Sequence, residues 1–446
     1  MAPSLESLEQ ELAELIAIPS VSADSAHETD VLAAAEWVRD RISRTGGEAA
    51  VVDWHGRPLV VGEVRASREP DRAPTVLCYG HFDVQPPDPL DLWETPPFDL
   101  RRRDGWLLAR GIVDDKGQLF MLLKATELLA QAGELPLNVR FACDGEEEIG
   151  GSSIVDWLAA DTRGADVAVI FDSGMQQRDI PEFNVAMRGL CYFHVEARTG
   201  RRDLHSGMYG GAALNAMHAL MQALSAVLPR DGRLPEPLRA GIVPPTAEEI
   251  AAWRELQPGA EAIEEQGARP MDDRAAEEFY LRTWAEPSVD VHGTAGGSPR
   301  LIKTVLPIHA EANVSIRLVA AQDPAEIGAT FQRLLREAAP AGTELEITQS
   351  SATPPALVAP DSPAVQLGLD AFEHVVGRRP LLVRSGGSIP LVAALSERAI
   401  PALVTGFGLP DSNIHSPNER LPAEYLPLGV DTAVELFRRL GTLPRS

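Results

Sequence analysis

The 446-residue chain has little of what is typical of secreted or membrane proteins. Its three cysteines, Cys78, Cys143 and Cys191, all fall within apolar runs, and none has C-x-x-C spacing. We therefore expect reduced, buried thiols rather than disulfides or a cysteine–zinc site. No apolar run approaches the roughly 18 residues needed to span a bilayer, and the first residues lack the basic and apolar regions of a secretory signal. These absences predict a cytoplasmic protein.

Basic residues are also scarce. Lys and Arg number 40 against 65 Asp and Glu, which gives a formal net charge of −25 at pH 7. A field of that sign repels nucleic-acid phosphates and anionic lipids, so we expect neither nucleic acid nor a membrane among the partners. With 44% hydrophobic and 24% charged residues, the composition is that of a globular protein long enough for two or three domains.

Strand-like and helical patterns alternate along the first part of the chain. Residues 75–80, 137–143 and 165–171 are nearly all apolar, as in strands covered on both faces, and residues 116–132 have the spacing of a helix. This order predicts an α/β fold with a mixed, mostly parallel sheet flanked by helices. In such sheets, ligands bind at the carboxyl ends of the strands.

The pattern changes near residue 187, where strands become alternating and half-exposed. The order of elements becomes β-α-β followed by a second β-α-β, which predicts an inserted α+β, ferredoxin-like domain over residues 187–355. The first domain then comprises residues 1–186 and 356–446. Within the insertion, residues 229–298 are rich in proline, glycine and acids and match no recognisable pattern.

Five short motifs with oxygen or imidazole side chains follow predicted strands. They are Gly80-His81-Phe82-Asp83, Gly111 to Gly117, Asp144 to Gly151, Phe171-Asp172-Ser173-Gly174 and Asn413 to Glu419. Singly, each has an ordinary explanation as a turn or a helix cap. Together they place two histidines and at least three carboxylates at strand ends of one sheet. That donor set suits Zn²⁺, with Mn²⁺ or Co²⁺ as alternatives, and one bridging carboxylate would make a binuclear hydrolytic site.

Two of these motifs have a specific chemical rationale. The run Glu146-Glu147-Glu148 is self-repulsive unless cations neutralise it, and a metal would leave one glutamate free to act as a base. In the His81-x-Asp83 motif, residues i and i+2 share a face of an extended backbone. Asp83 can therefore accept a hydrogen bond from one ring nitrogen of His81 and leave the other nitrogen for a metal.

The order and spacing of these motifs resemble those of the M20 metallopeptidases, and within that family those of the carnosinase-like cytosolic dipeptidase branch. The resemblance implies His81 and Asp172 on one metal ion, Glu148 and His415 on the other, and Asp114 as the bridge. It also implies Glu147 as the general base, Glu146 as a bystander, and a cis peptide bond between Asp114 and Asp115. The implied cofactors are two divalent metal ions, with Zn²⁺ as the first candidate and Mn²⁺ or Co²⁺ as alternatives.

Further motifs extend the resemblance to the inserted domain, which it implies is a lid and dimerisation domain. The D-L-H-S-G-x-Y-G-G run of residues 203–211 contains His205, which the family implies reaches across a homodimer to the reacting oxyanion in the partner's site. The G-G-S-I-P run contains Gly387 and Ser388, whose backbone N–H groups could hold a carboxylate. Arg317, on a predicted lid strand, is implied to grip the carboxylate of a small peptide substrate.

The expected function is hydrolysis of the amide bond of dipeptides or short peptides by a binuclear zinc metallopeptidase. The alternative with the same chemistry is an amino-acid deacylase or desuccinylase acting on N-acyl amino acids. A third reading, of another class, is a non-catalytic binding or scaffold protein that keeps the fold. The complete ligand set and the candidate base favour an enzyme over that reading.

Overall fold

A computed structural model describes residues 3–386 and 390–444. The chain divides into two compact units. The first comprises Met1–Val185, Val358–Val383 and Ala394–Ser446, and the second comprises Ala186–Leu357 and Arg384–Ala393. The short segment Arg384–Ala393 thus groups with the second unit although the chain on either side of it belongs to the first.

The described residues form twelve α-helices and nineteen strands. The helices are α1 Leu5–Ile16, α2 Glu28–Arg44, α3 Lys116–Gln131, α4 Ser153–Ala160, α5 Ser206–Tyr209, α6 Ala216–Ser225, α7 Ala247–Trp253, α8 Gly259–Glu265, α9 Pro324–Ala338, α10 Pro363–Val376, α11 Pro390–Glu397 and α12 Tyr425–Leu440. The strands are β1 Glu48–Trp54, β2 Arg57–Val64, β3 Thr75–His81, β4 Arg101–Arg103, β5 Trp106–Leu108, β6 Asn138–Asp144, β7 Val167–Phe171, β8 Met175–Gln177, β9 Ile180–Met187, β10 Gly189–Arg198, β11 Leu204–His205, β12 Ser288–Ala295, β13 Val305–Leu306, β14 His309–Leu318, β15 Glu344–Thr353, β16 Ala356–Leu357, β17 Leu381–Ser385, β18 Ala402–Thr405 and β19 Arg420–Pro422. A 3₁₀ turn, Glu147–Ile149, follows β6.

The first unit is built on a six-stranded sheet with the order β1-β2-β6-β3-β7-β18. Strands β6, β3, β7 and β18 run parallel, whereas β2 is antiparallel to both of its neighbours. Every residue of β6 and of β7 is buried, as expected of parallel strands that are covered on both faces. Helices α2, α3, α4 and α10 pack against the sheet. The predicted α/β class, with a mixed and mostly parallel sheet, is confirmed.

Helix α3 is positioned by a close approach of backbone at its start. A Cβ atom on Gly117 would lie 1.9 Å from the carbonyl oxygen of Ile112, so only glycine fits the first turn. The side chain of Lys116, which is fully buried, donates to the carbonyl oxygens of Leu15 (3.1 Å) and Ile18 (2.5 Å). These contacts fix the point at which the loop before α3 enters the helix.

The second unit contains a four-stranded antiparallel sheet with the order β12-β14-β10-β15. Along β10, buried Cys191, Phe193, Val195 and Ala197 alternate with partly exposed residues, and helices α6 and α9 pack their apolar sides on that buried face. Numbered along the chain, the sheet order is 2-3-1-4, which is the ferredoxin-like arrangement expected from the sequence.

Other parts of the chain were not predicted. The unplaced segment of residues 229–298 contains α7, α8 and the whole of β12. Strands β4, β5 and β19 form a small separate sheet that joins residues far apart in sequence. None of the helices within the described ranges combines the length and apolar character that crossing a membrane requires.

Candidate metal centre

Three neighbouring parallel strands of the first unit end at the same edge of its sheet. His81 is the last residue of β3 and pairs with Asp144, the last residue of β6. Asp172 follows the end of β7 directly. Two loops supply the remaining groups: Asp114 precedes α3, and His415 lies in the loop between β18 and β19. The structure therefore brings together side chains that are more than 300 residues apart.

Asp114 lies at the centre of this cluster. Its Oδ1 atom is 2.9 Å from Nε2 of His81, and its Oδ2 atom is 2.8 Å from Nε2 of His415. On the first side, Oδ1 of Asp172 lies 3.9 Å from Nε2 of His81. On the second side, Oε2 of Glu148 lies 3.1 Å from Nε2 of His415. The carboxylate of Asp114 thus faces one histidine and one further acid on each side.

These five residues form two groups that each suit a divalent cation. One group is His81, Asp114 and Asp172, and the other is Asp114, Glu148 and His415, and within each group the ligand atoms lie within 4.8 Å of one another. Imidazole nitrogen and carboxylate oxygen are ligands that Zn²⁺ accepts in hydrolytic sites. Because Asp114 belongs to both groups, its two oxygens could serve two neighbouring ions.

The electrostatics of the cluster favour positive charge at both histidines. Burial opposes a charge on His81, but the nearby carboxylates of Asp114, Asp83 and Asp172 raise its pKa well above the usual value. Hydrogen bonds to Asp114 and Glu148 raise the pKa of His415 to about 10. Metal cations would supply that positive charge directly. The donor set and its charge therefore fit a pair of divalent ions.

The three consecutive glutamates point to different surroundings. Glu148 belongs to the cluster, and Gln85 holds it with its backbone N–H (3.2 Å, to Oε1) and its side-chain amide (2.8 Å, to Oε2). Glu146 instead accepts from the backbone N–H of Ser153 at 2.8 Å and pairs with Arg57. Glu146 therefore has a structural task, in keeping with its expected role as a bystander.

Glu147 lies beside the cluster without a hydrogen bond to its carboxylate from any described residue. Burial is the main reason that its pKa is raised above the usual value; the charges of Asp114, Glu148 and Asp83 add to this, and His81 opposes it. A raised pKa brings a carboxyl group closer to the range in which it can both take and return a proton near neutral pH. These are the properties of a general base.

Asp83 does not contact His81 quite as expected. The Nδ1 atom of His81 lies 3.1 Å from the carbonyl oxygen of Asp83 and 3.4 Å from its Oδ1 atom. The closer partner is therefore the backbone, and Oδ1 has no hydrogen bond among the described residues. The other carboxylate oxygen accepts from the backbone N–H of Glu148 at 3.1 Å. Asp83 thus lies between a histidine of one group and a glutamate of the other.

Glu419 positions the loop that carries Asp114, a role that no sequence pattern predicts. Its Oε2 atom accepts from Gly111 N (2.9 Å), and its Oε1 atom accepts from Val113 N (2.8 Å) and Asp114 N (3.1 Å). Arg110 pairs with the same carboxylate at 2.7 Å, and neither side chain is more than 1% exposed. The motif at 413–419 contains Glu419, but only the tertiary structure reveals its contacts.

The peptide bond between Asp114 and Asp115 is cis, as the family resemblance implies. Asp115 is fully buried, and its Oδ2 atom accepts from the backbone N–H of His81 at 3.1 Å. The loop before α3 therefore places Asp114 in the cluster and uses its neighbour Asp115 to hold the end of β3.

Replacing Glu419 by Gln should destabilise the protein strongly. The buried guanidinium of Arg110 would lose its counter-charge, which typically costs about 3–5 kcal/mol. The measurement is the free energy of unfolding in urea. A matched control is Glu337→Gln, which removes the ion pair between Arg333 and Glu337, whose side chains are 52% and 59% exposed. That change should cost less than about 1 kcal/mol, and equal effects of the two substitutions would contradict the role given to Glu419.

The remaining candidates lie in the second unit or outside the described residues. His205 is exposed at the end of β11, where its Nδ1 atom accepts from the backbone N–H of Gly207 at 3.1 Å. Arg317 is half-buried on β14, and no described residue forms an ion pair or side-chain hydrogen bond with it. Gly387 and Ser388 lie outside the described residues.

Comparison with known proteins identifies similar sequences and structures. Residues 77–439 match the family model described as Peptidase family M20/M25/M40. The cysteinylglycine-S-conjugate dipeptidase of Corynebacterium striatum is 29% identical over 436 residues, which cover 94% of this chain and 92% of that protein. The structure of human carnosine dipeptidase 1 is 25% identical, with a TM-score of 0.73 and coverage of 98% and 97% of the two chains. An M20 family metallo-carboxypeptidase from Sulfolobus solfataricus is also 25% identical, with a TM-score of 0.82 and coverage of 97% and 98%.

Proposed function

Because this chain belongs to peptidase family M20/M25/M40, we propose that it is a metallo-dipeptidase that hydrolyses the amide bond of dipeptides or closely related short peptides. The observation that carries the proposal is the carboxylate of Asp114 shared between two histidine–acid groups, with Glu147 beside it. Relatives named as dipeptidases that align over most of the chain support the choice of substrate.

We propose that the cluster holds two divalent ions, with zinc as the first candidate and Mn²⁺ or Co²⁺ as substitutes. His81 and Asp172 would hold one ion, Glu148 and His415 the other, and Asp114 both. Bound there, divalent cations would polarise the scissile carbonyl and make water a stronger nucleophile at neutral pH. Glu419, Gln85 and Asp83 keep the ligands in place through the hydrogen bonds described above.

Glu147 would take the proton of the attacking water and return it to the leaving amine. Its carboxylate is partly buried, its pKa is raised, and no hydrogen bond from a described residue occupies it. A carboxylate with these properties can accept a proton on one side of the reaction and give it up on the other.

Substrate recognition is assigned to the second unit and to the G-G-S-I-P run. Arg317 has a guanidinium group that no described carboxylate neutralises, so it is available for the terminal carboxylate of a short peptide. Gly387 and Ser388 would add backbone N–H donors to the same carboxylate. A requirement for a free carboxylate next to the scissile bond would restrict cleavage to the C-terminal peptide bond.

We propose that the chain works as a homodimer through its second unit and that His205 acts in the partner's site. Because Nδ1 of His205 accepts a hydrogen bond from Gly207, the proton of the neutral ring is on Nε2, which can donate to an oxyanion outside this chain. Helix α5, strand β13 and the chain just before β13 also expose large apolar side chains. These are Met208, Tyr209, Leu301, Ile302 and Val305.

A mixing experiment tests whether His205 acts in the partner's site. The His205→Ala and Glu147→Gln proteins should each lose most of their turnover, with a loss of about 10²-fold for His205→Ala. If a site takes His205 from the other subunit, a mixed dimer contains one site with both residues intact. Activity should therefore return when the two inactive proteins are exchanged into mixed dimers.

Two observations would contradict this arrangement. Mixed dimers with no recovered activity would mean that each subunit uses its own His205, and a monomeric active enzyme would rule out a shared site. His218→Ala is the matched control, because His218 is an exposed histidine on α6 of the same unit. That variant should keep the wild-type turnover number.

Activity of the metal-loaded protein against a panel of substrates tests the proposed function. The panel comprises dipeptides, tripeptides, and acetyl-, carbamoyl- and succinyl-amino acids. We expect dipeptides to have the highest kcat/KM. A higher kcat/KM for the N-acyl amino acids would favour the deacylase or desuccinylase alternative, and bound metal without hydrolysis of any amide would favour a binding protein.

We also propose that the protein works in the cytoplasm. All three cysteines are free and buried, and burial raises the pKa of the Cys78, Cys143 and Cys191 thiols. Such thiols remain reduced and unreactive, as is typical of proteins from reducing compartments.

A further inference from the structure

The second unit contains a cavity whose lining includes none of the residues assigned to the proposed reaction. Its volume is about 250 Å³, and its wall is formed by the segment of residues 229–298 together with Arg188. Most of the lining surface is apolar, with Ile263, Met271 and Phe279 among the contributing side chains. Residues 229–298, which matched no sequence pattern, therefore line a cavity that has one buried cationic side chain in its wall.

Arg188 is that cation. The residue is 7% exposed, and its Nη2 atom donates to the carbonyl oxygen of Glu286 (2.8 Å) and to Oγ of Ser288 (3.0 Å). Its buried Nε atom has no hydrogen-bond partner. Within residues 3–386 and 390–444, no carboxylate forms an ion pair with Arg188.

Two of the other arginines in the cavity wall are neutralised by acids of the chain, and the third, Arg269, is exposed to solvent. Arg282 pairs with Asp272 at 2.6 Å and with Glu278 at 2.7 Å. Arg233 pairs with Glu278 at 3.0 Å. Burying a cation without a paired anion costs free energy. Arg188 differs from Arg282 and Arg233 in having no such partner, so binding of an anion there would be favourable.

The charge on Arg188 persists at neutral pH. Burial, and then the like charge of Arg317, lower its pKa to about 10, and Asp290 opposes the shift. The side chain therefore remains a guanidinium ion with unused donors in the wall of an apolar cavity. Guanidinium groups bind carboxylates through paired, charge-assisted hydrogen bonds.

We propose that this cavity binds a small carboxylic acid with an apolar body, its carboxylate on Arg188 and its hydrocarbon against Ile263, Met271 and Phe279. At about 30 Å³ for each water-sized group, the space suits an acid of roughly eight non-hydrogen atoms. A simple branched acid and a free apolar amino acid both have this chemistry. None of the residues that line the cavity belongs to the metal cluster, and the proposed binding does not depend on the proposed peptidase reaction.

Isothermal titration of the metal-loaded protein with isovalerate tests the proposal. Wild-type protein should bind isovalerate, and it should bind the uncharged isovaleramide at least about tenfold more weakly, because the amide lacks the charge that Arg188 requires. Arg188→Gln should weaken isovalerate binding by about the same factor. Arg333→Gln, an exposed arginine of α9, is the matched control and should bind as wild type does.

A second variant separates loss of the ligand from loss of the fold. Ala275 lies in the cavity wall and is 7% exposed, so Ala275→Leu would fill part of the space and leave Arg188 intact. It should also abolish isovalerate binding, while thermal melting reports whether each variant folds. L-leucine in place of isovalerate distinguishes the sources: tighter binding of leucine identifies an amino-acid site, and weaker binding identifies a site for simple acids.

Two results would overturn the proposal. One is isovalerate binding that is unchanged in both Arg188→Gln and Ala275→Leu, which would place the acid elsewhere, such as on the metal centre. The other is equal binding of the acid and its amide by wild-type protein. These titrations measure ligand binding and not peptidase activity. They therefore test the cavity even if the proposed peptidase function is wrong.

Discussion

Glu147→Gln is expected to bind metal as the wild-type protein does and to lose nearly all turnover. The substitution keeps the size of the side chain but removes its ability to accept a proton, and general-base catalysis typically contributes about 10²–10⁴-fold to the rate. No hydrogen bond from a described residue depends on the Glu147 carboxylate. The loss should therefore appear in kcat, measured with a good dipeptide substrate, and not in metal content or melting temperature.

The neighbouring glutamates provide matched controls for this result. Glu148→Gln alters a residue of the metal cluster and should lower metal content as well as activity. Glu146→Gln alters a side chain that contacts Ser153 and Arg57 and should lower stability while the folded protein keeps its kcat. If Glu147→Gln turned over substrate at the wild-type rate, the base would have to be assigned to another group.

Much of the fold was accessible from local patterns. Helix α3, Lys116–Gln131, agrees to within one residue with the helix that apolar spacing predicts over residues 116–132. Apolar runs predicted β3, β6 and β7, which are buried on both faces. The family resemblance drawn from the motifs is confirmed by the match over residues 77–439.

The grouping of the candidate ligands also followed from the sequence, through a simple geometric rule. Parallel neighbours end at the same edge of a sheet, so residues that follow β3 and β7 must lie close together. His81 and Asp172 are placed by this rule. Asp114 and His415 lie on longer loops, so their motifs were grouped with the others because they follow predicted strands, and the family resemblance assigned their individual roles.

What the sequence could not reveal depends on contacts between distant segments. Glu419 holds the backbone of residues 111–114 from about 300 positions away, and Gln85 holds Glu148 in a similar manner. The side chains of Glu419 and Gln85 give no local sign of these partners. For Asp83 the sequence predicted the residue but not the atom. The i, i+2 spacing correctly placed Asp83 beside His81, but the atom of Asp83 nearest to Nδ1 of His81 is the backbone carbonyl oxygen and not the carboxylate.

Asp114→Asn should weaken metal binding in both groups of the cluster and abolish turnover. The two carboxylate oxygens of Asp114 face His81 and His415 at 2.9 and 2.8 Å, so this residue alone contributes to both groups. An amide has almost the same shape but no negative charge, and one of its two terminal atoms is a donor instead of an acceptor. Either feature weakens the attraction for a divalent cation.

Metal content after dialysis against metal-free buffer gives the direct measurement. Wild-type protein should retain close to two ions per chain, and Asp114→Asn should retain one or none, with kcat reduced at least about 10³-fold if both ions contribute to catalysis. Asp156→Asn, on the exposed face of α4, is the control and should retain the wild-type metal content and rate. An Asp114→Asn protein that still held two ions would show that the shared carboxylate is not the bridge, because a bridging ligand cannot lose its charge without an effect on both of the ions that it joins.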